Sequence, residues 1–271
     1  FNAKESQGAA HVPPLIGYPK PSNTNAMAKQ SHLPTILLTR PLAQSQRFSA
    51  ELTAEFGPVD ILISPLMQAE FLEAGLPPLP FSAVIFASET AVAAALSLNC
   101  ASRLPRKAFC VGHRTGAAAQ AGGFQTVVAE GDAQALITLI LAADAAPPLL
   151  FLRGENSTGL VAETLISAAL ETVSLIIYRQ AACQLSDLAA QRLLAPQPIV
   201  LPLFSPRSAR LMAEECHRIG ARSPMSVAAL GETVADAARG LATHGLQIAV
   251  RKDSAAMVQA VAKLLTLAAS P

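Results

Sequence analysis

Tryptophan is absent, and aromatic residues make up only 4% of the 271 residues. That excludes the aromatic platforms on which single-stranded bases or sugar rings stack. No sign of charge dominates: Lys plus Arg is 20 and Asp plus Glu is 19, a net of +1, so there is no basic excess of the kind that marks a general nucleic-acid binder. No uncharged apolar stretch reaches the ~20 residues that a membrane helix needs. The longest, 133–143, is short and follows Asp132, a natural helix N-cap. Cysteine is limited to Cys100, Cys110, Cys183 and Cys216. None pairs as C-x-x-C and no His stands at zinc-ligand spacing, so neither a zinc site nor a disulfide framework is expected. They read as small, buried or half-buried thiols of a reducing cytoplasm. A phosphate loop, a complete G-x-G-x-x-G and a Ser-His-Asp order are also missing.

Apolar residues are plentiful, at 51%, and the chain is long enough for two domains. Residues 1–33 stand apart. Pro13, Pro14, Pro19 and Pro21 fall among Asn and Ser with no apolar period, and no hydrophobic core with a cleavage site suggests a signal peptide. Asn25-Ala26-Met27 resembles a cloning remnant before a start methionine. The segment is expected to be a poorly ordered tail.

From Thr35 onward, short apolar runs alternate with helix-like segments. Strands are expected at 35–39, 59–63, 82–87, 108–111, 125–129, 149–152, 172–178, 199–204, 226–230 and 247–250. Helices are expected at 42–56, 89–98, 115–121, 133–143, 159–170, 208–219, 233–243 and 254–267. In the first helix Phe48, Leu52 and Phe56 recur four apart. Continuous apolar strands alternating with helices indicate parallel sheets covered on both faces, an α/β fold.

An internal repeat divides the strands into two sheets. Val111-Gly112 opens one unit, which continues through Gly123, a strand and Asp132 into an Ala/Leu helix; Leu230-Gly231 opens the other, through Gly245, a strand and Asp253. Val84-Ile85-Phe86-Ala87-Ser88 precedes the first as Leu201-Pro202-Leu203-Phe204-Ser205 precedes the second. The simplest assignment lends the two earliest strands to the C-terminal half. One α/β domain is then discontinuous, 34–65 and 184–271, with a second inserted at 72–177. Two-stranded linkers at 66–71 and 178–183 form a hinge beside a cleft.

In open α/β sheets, ligands bind at the carboxyl ends of strands. Those ends carry Thr39-Arg40-Pro41, Ser88-Glu89-Thr90, Gly112-His113-Arg114-Thr115, Arg153-Gly154, Tyr178-Arg179, Ser205-Pro206-Arg207-Ser208 and Gly231-Glu232-Thr233. Small hydroxyl residues and glycines at helix N-termini leave backbone N–H groups free to hold anions. Arg40, Arg114, Arg153, Arg179 and Arg207 add positive charge. Each residue also has a plainer role open to it: Ser88, Thr115 and Ser205 as N-caps, Gly112 and Gly231 as turn formers, the arginines as solvated charges, and Tyr178 as a half-buried structural side chain. His113 has no visible partner, and His217 and His244 suit helix-end positions.

In these segments the chain resembles the uroporphyrinogen-III synthase family. The likeness runs from about Ile36 to Leu267 and rests on the order and spacing of Leu37-Leu38-Thr39-Arg40-Pro41, Val84 to Ser88 with Ala91-Val92, Val111-Gly112 with Thr115, Leu152-Arg153-Gly154, Ile177-Tyr178-Arg179, Phe204 to Ala209 and Leu230 to Thr233. The family often has Phe-Thr-Ser where Phe86-Ala87-Ser88 stands here, and a Thr where Val234 stands, one place after Thr233.

The resemblance implies two α/β domains with the site in the cleft, no cofactor, and hydroxymethylbilane, a linear tetrapyrrole with eight carboxylates, as substrate. Loss of its terminal hydroxyl gives a cationic azafulvene, attack by the substituted carbon of the fourth ring gives a spiro intermediate, and reclosure gives uroporphyrinogen III and water. It places substrate binding on Ser88, Thr115, Arg153, Gly154, Ser205, Ser208, Gly231 and Thr233, and the catalytic donor on Tyr178; Arg40, as a strand-end cation, joins the substrate-binding set. From the residues themselves, with no long apolar surface stripe, a cytoplasmic monomer is expected that binds neither nucleic acid nor membrane. The competing reading from the residues is a non-catalytic two-domain binding protein for a small polyanion.

Overall fold

A computed structural model describes residues 34–269 apart from 79, 99, 100 and 158; the expected tail and the setting of Cys100 lie outside the described residues. The chain runs β1 (Thr35–Leu38), α1 (Leu42–Phe56), β2 (Ile61–Ile63), β3 (Met67–Phe71), β4 (Ala83–Phe86), α2 (Glu89–Ser97) and β5 (Lys107–Val111). It continues through α3 (Gly112–Ala121), β6 (Gln125–Ala129), α4 (Ala133–Ala142), β7 (Leu149–Gly154), α5 (Leu160–Ser167) and β8 (Thr172–Ala182). The last elements are α6 (Asp187–Leu194), β9 (Ile199–Leu203), α7 (Pro206–Ile219), β10 (Met225–Ala229), α8 (Glu232–Ala237), β11 (Thr243–Ile248) and α9 (Ser254–Ala269). No described helix is long and apolar enough to cross a membrane.

Five strands form one parallel sheet in the order β11-β10-β9-β1-β2. Six form another, β3-β8-β7-β4-β5-β6, parallel except that β3 runs against β8. The sequence repeat is a structural one: β4-β5-β6 and β9-β10-β11 hold equivalent places, with β7 beside β4 as β1 is beside β9. The order therefore reverses at β4/β7 and at β9/β1, and such switch points are where crevices open at the strand ends.

Alternation along each strand feeds two cores per sheet. Leu37 packs with Met212 and Leu193 on one face, while Ile36 and Leu38 pack with Phe48, Met257 and Val261 on the other. Thus α6, α7 and α8 cover one side and α1 and α9 the other. In the second sheet Val84 and Phe86 meet α2 and α3, whereas Ala83 and Ile85 meet α4 and α5. Phe48, Phe86, Phe109 and Phe151 are at most 1% exposed, and burying such a side chain stabilises the fold by roughly 1.5–3 kcal/mol. The close approach of α3 to β6 requires Gly116, where a Cβ would fall 2.4 Å from Cγ2 of Val128. Asp132 caps α4 as expected, accepting from the N–H groups of Gln134 and Ala135.

Four differences from the expected elements have local causes. Strand β3 stands where only a linker is expected; Gln68, Ala69 and Glu70 face solvent, so it lacks an apolar run. It pairs with the end of β8 from Met67↔Ala182 to Phe71↔Tyr178, and β8 accordingly extends to Ala182. Strand β11 begins at Thr243 rather than 247, because this edge strand opens with exposed, polar Thr243 and His244; the preceding helix ends correspondingly early. Helix α6 is an addition: it is short and buries only Ala189 and Leu193 under its Ser186 cap. Helix α3 starts at Gly112, before Thr115, because the chain turns straight out of β5 through a left-handed Gly112 at φ +72°.

The chain crosses between the sheets twice. There the N–H of Leu66 donates to the carbonyl of Thr39 (3.0 Å), that of Cys183 to the carbonyl of Leu66 (2.9 Å), and that of Ser186 to Oγ of Ser64 (2.9 Å).

Candidate active site

Two adjoining cavities of about 500 and 270 Å³ share Arg40, Gln44, Arg47 and Arg114. The larger is closed by the N-termini of α2 and α3, through Ser88, Gly112 and Thr115. The smaller is closed by residues that follow β9, β10 and β11: Phe204, Leu230 and Lys252. The strand ends of both sheets therefore border one crevice.

Ser88 caps α2 because a serine in extended backbone can turn its hydroxyl onto the free amides of the first turn. Its Oγ accepts from Ala91 N–H at 3.1 Å and lies 3.0 Å from the hydroxyl of Tyr178. Tyr178 reaches it from β8, where the register with β7 slips and Gly154 comes opposite Tyr178. Gly154 leaves room for the ring: a Cβ there would sit 2.6 Å from Cζ and 2.8 Å from the hydroxyl of Tyr178. Ser88, Gly154 and Tyr178 thus form one unit at the β4/β7 switch point.

At the other switch point, Arg40 lies over the ring of Phe204, Cζ to centroid 3.9 Å, and Phe204 meets the core through an edge contact with Phe48 at 5.0 Å. Burial, then the facing charge of Arg47, hold the Arg40 guanidinium below its ordinary value; Glu51 opposes this and Arg114 adds to it. Ser205 and Ser208 form a reciprocal cap on α7, Ser205 Oγ accepting from Ser208 N–H and Ser208 Oγ from Ser205 N–H. Gly231 opens α8 beside Lys252, whose Cε would be 3.4 Å from a Cβ on the glycine.

The remaining expected residues differ in where they stand. Arg153, near the end of β7, is held locally, donating to Ser174 Oγ on β8 (2.8 Å) and to the carbonyls of Gly154 and Ser157 (3.1 Å each). Thr233 is exposed on α8 and, like Arg153, Gly154, Tyr178, Ser205, Ser208 and Gly231, lines neither cavity. Thr115 lies in the first turn of α3, 5% exposed, rather than at its cap. Arg179 is paired bidentately with Glu70 at 2.9 Å, and Arg207 ties α7 to Asn156 (2.9 Å) and the Gln180 carbonyl (2.6 Å). His113 faces Glu130 at the surface and also lines the larger cavity. Sequence reasoning gives no site role to Arg47, Glu89, Phe204 or Lys252. The spacing of Gln44, Arg47 and Glu51 along one face of α1 is the available signal for the first of these.

Among the described residues no cluster could hold a metal ion. Fold and crevice define a two-sheet α/β protein with cationic groups gathered at its switch points. The family described as uroporphyrinogen-III synthase HemD matches residues 47–259. The chain belongs to that family, the cyclising lyases that make uroporphyrinogen III in tetrapyrrole biosynthesis, and this is its activity. No curated protein sequence matches it. In structure it is similar to the uroporphyrinogen-III synthetase of Helicobacter pylori 26695, with TM-score 0.56 and 16% identity over 86% of this chain and 99% of that one. A mutant uroporphyrinogen III synthase from the extremely thermophilic bacterium Thermus thermophilus aligns with TM-score 0.43 and 15% identity, over 86% of this chain and 99% of that one.

Proposed function

We propose that the crevice between the sheets binds hydroxymethylbilane and that Tyr178 assists departure of its hydroxyl. The observation that carries this reading is the Tyr178 hydroxyl 3.0 Å from Ser88 Oγ, at a helix N-terminus that borders the cavity. Ser88 can fix the phenol's orientation while the phenol donates to the leaving oxygen. The hydroxyl leaves as water, the substituted carbon of the fourth ring attacks the azafulvene, and the spiro intermediate fragments and recloses. The proton released when the last pyrrole regains aromaticity balances the one taken up at departure.

The substrate carries its own reactivity and cyclises without help to the uninverted isomer, so the protein's task is one of pose. Loop amides at α2, α3, α7 and α8, with Arg40 and the Ser88, Thr115, Ser205, Ser208 and Gly231 positions, hold carboxylates and contribute through orientation. In this reading Gly154 makes space for Tyr178, Arg153 shapes the β7 loop, and Thr233 marks the α8 rim. We further read the chain as a cytoplasmic monomer; its exposed large apolar residues, such as Leu160 and Val250, are scattered over separate elements.

Single-turnover conversion of hydroxymethylbilane by Tyr178→Phe tests the assignment. The formation rate of uroporphyrinogen III should fall about 10-fold or more. An unchanged rate removes Tyr178 from the chemistry.

A further inference from the structure

Arg40, Arg47 and Arg114 come from the end of β1, from α1 and from α3, hence from both sheets, yet all three line both cavities. Gathering like charges is unfavourable unless an anion joins them. The nearby acids do not supply one equally. Glu51 accepts from the hydroxyl of Ser254, and Asp253 is engaged by Arg251 and by the Ala256 N–H, both at 2.8 Å. Arg40 rests on the Phe204 ring instead of on a carboxylate, and Arg114 has no ion pair among the described residues. Arg47 alone of the three has one: Glu89, from the first turn of α2 on the other sheet, at 3.0 Å. Both partners are more than a third exposed, so this pair is open to exchange with a solute. A helix first turn is also a favourable place for a carboxylate, so Glu89 is well placed as a competitor.

We propose that Arg40, Arg47 and Arg114 form a carboxylate-binding subsite bridging the two sheets, and that Glu89 is an internal placeholder which an incoming ligand carboxylate displaces from Arg47. This rests on the reading that the crevice holds the substrate, and it adds a residue whose removal strengthens binding. The exchange leaves the number of charge-assisted bonds at Arg47 unchanged, so the ligand gains from Arg40 and Arg114 while meeting competition only at Arg47. Glu89 is then a positioning residue acting through Arg47.

The sign of the Glu89→Gln effect decides the matter. The KM for hydroxymethylbilane and, separately, the dissociation constant of citrate by calorimetry are measured for wild type, Glu89→Gln, Arg114→Gln and the double variant Glu89→Gln/Arg47→Gln. Glu89→Gln should tighten both about 2- to 5-fold, the range of an exposed ion pair removed from competition. Arg114→Gln should weaken both by about 10-fold, as expected for a lost charge-assisted hydrogen bond. The double variant should lose the gain seen in Glu89→Gln. If the pair merely fastens the sheets, Glu89→Gln weakens binding or leaves it unchanged, and the proposal fails. If citrate follows the expected pattern while hydroxymethylbilane is not converted, the subsite stands and the assignment of the crevice to that substrate falls.

Discussion

Gly154 leaves the space that Tyr178 fills: a single methyl group on the glycine would stand 2.6 Å from Cζ of the tyrosine ring. The ring's hydroxyl is meanwhile tied to Ser88 at 3.0 Å. Any side chain at position 154 therefore pushes Tyr178 off Ser88. Gly154→Ala should lower the rate of uroporphyrinogen III formation at least as much as Tyr178→Phe, about 10-fold or more, in a stopped assay with the isomers resolved by chromatography. Activity close to wild type would show that the ring position is not used.

Salt should weaken substrate capture. Arg40, Arg47, Arg114 and Lys252 border the same crevice, and exposed charges are screened over about 8–10 Å at physiological ionic strength. The KM for hydroxymethylbilane should rise steadily between low and moderate potassium chloride. A KM that ignores salt contradicts an electrostatic grip.

Acid should release a specific tie behind the site. Glu215 on α7 accepts from Arg218 through both oxygens at 2.7 Å and from Leu185 N–H at 2.8 Å. The hydrogen bond from Arg218 holds this carboxyl below its ordinary 4.5, burial opposes it, and the Leu185 amide helps. A depressed folded-state value contributes stability above the unfolded value, and that contribution disappears as pH falls through the folded one. Glu215→Gln should therefore be less stable than wild type near neutrality, by about 1–3 kcal/mol, with the gap closing below about pH 4.5. Denaturant melts at several pH values measure this; a gap that is constant in acid contradicts it.

Thiol labelling should sort the cysteines. Burial pushes Cys110 up to about 11 and Cys216 likewise to about 11, Glu215 adding to the second. Cys183 is only half-buried, in the second crossing between the sheets. In the native protein an aromatic disulfide reagent should modify Cys183 well before Cys110 or Cys216, read by peptide mass analysis. Rapid modification of Cys110 would contradict its burial in the α2/α3 core.

Much of this fold is legible because parallel strands buried on both faces must be written as continuous apolar runs, as in β1, β4, β7 and β9. What escapes is the edge: β3 shows solvent Gln68, Ala69 and Glu70 and carries no apolar signal, and the polar start of β11 at Thr243 and His244 hides where that strand begins. The site follows the same logic. Ser88 and Ser205 are readable because a serine between a strand and a helix has few other uses, and the structure shows both as caps. The pairing of Arg47 with Glu89 is not, because their meeting depends on how two sheets face each other across the crevice, a relation that no local spacing encodes. Arg153 and Arg207 show the converse: cations at strand ends whose hydrogen bonds go to neighbouring loops.

On the proposed function, the crevice imposes one pose on a reactive linear tetrapyrrole. This is tested most directly by supplying hydroxymethylbilane to the purified chain and resolving the two cyclic isomers against a protein-free control. Uroporphyrinogen III should dominate and form faster than the spontaneous product. Isomer I alone, at the rate of the control, would contradict the account.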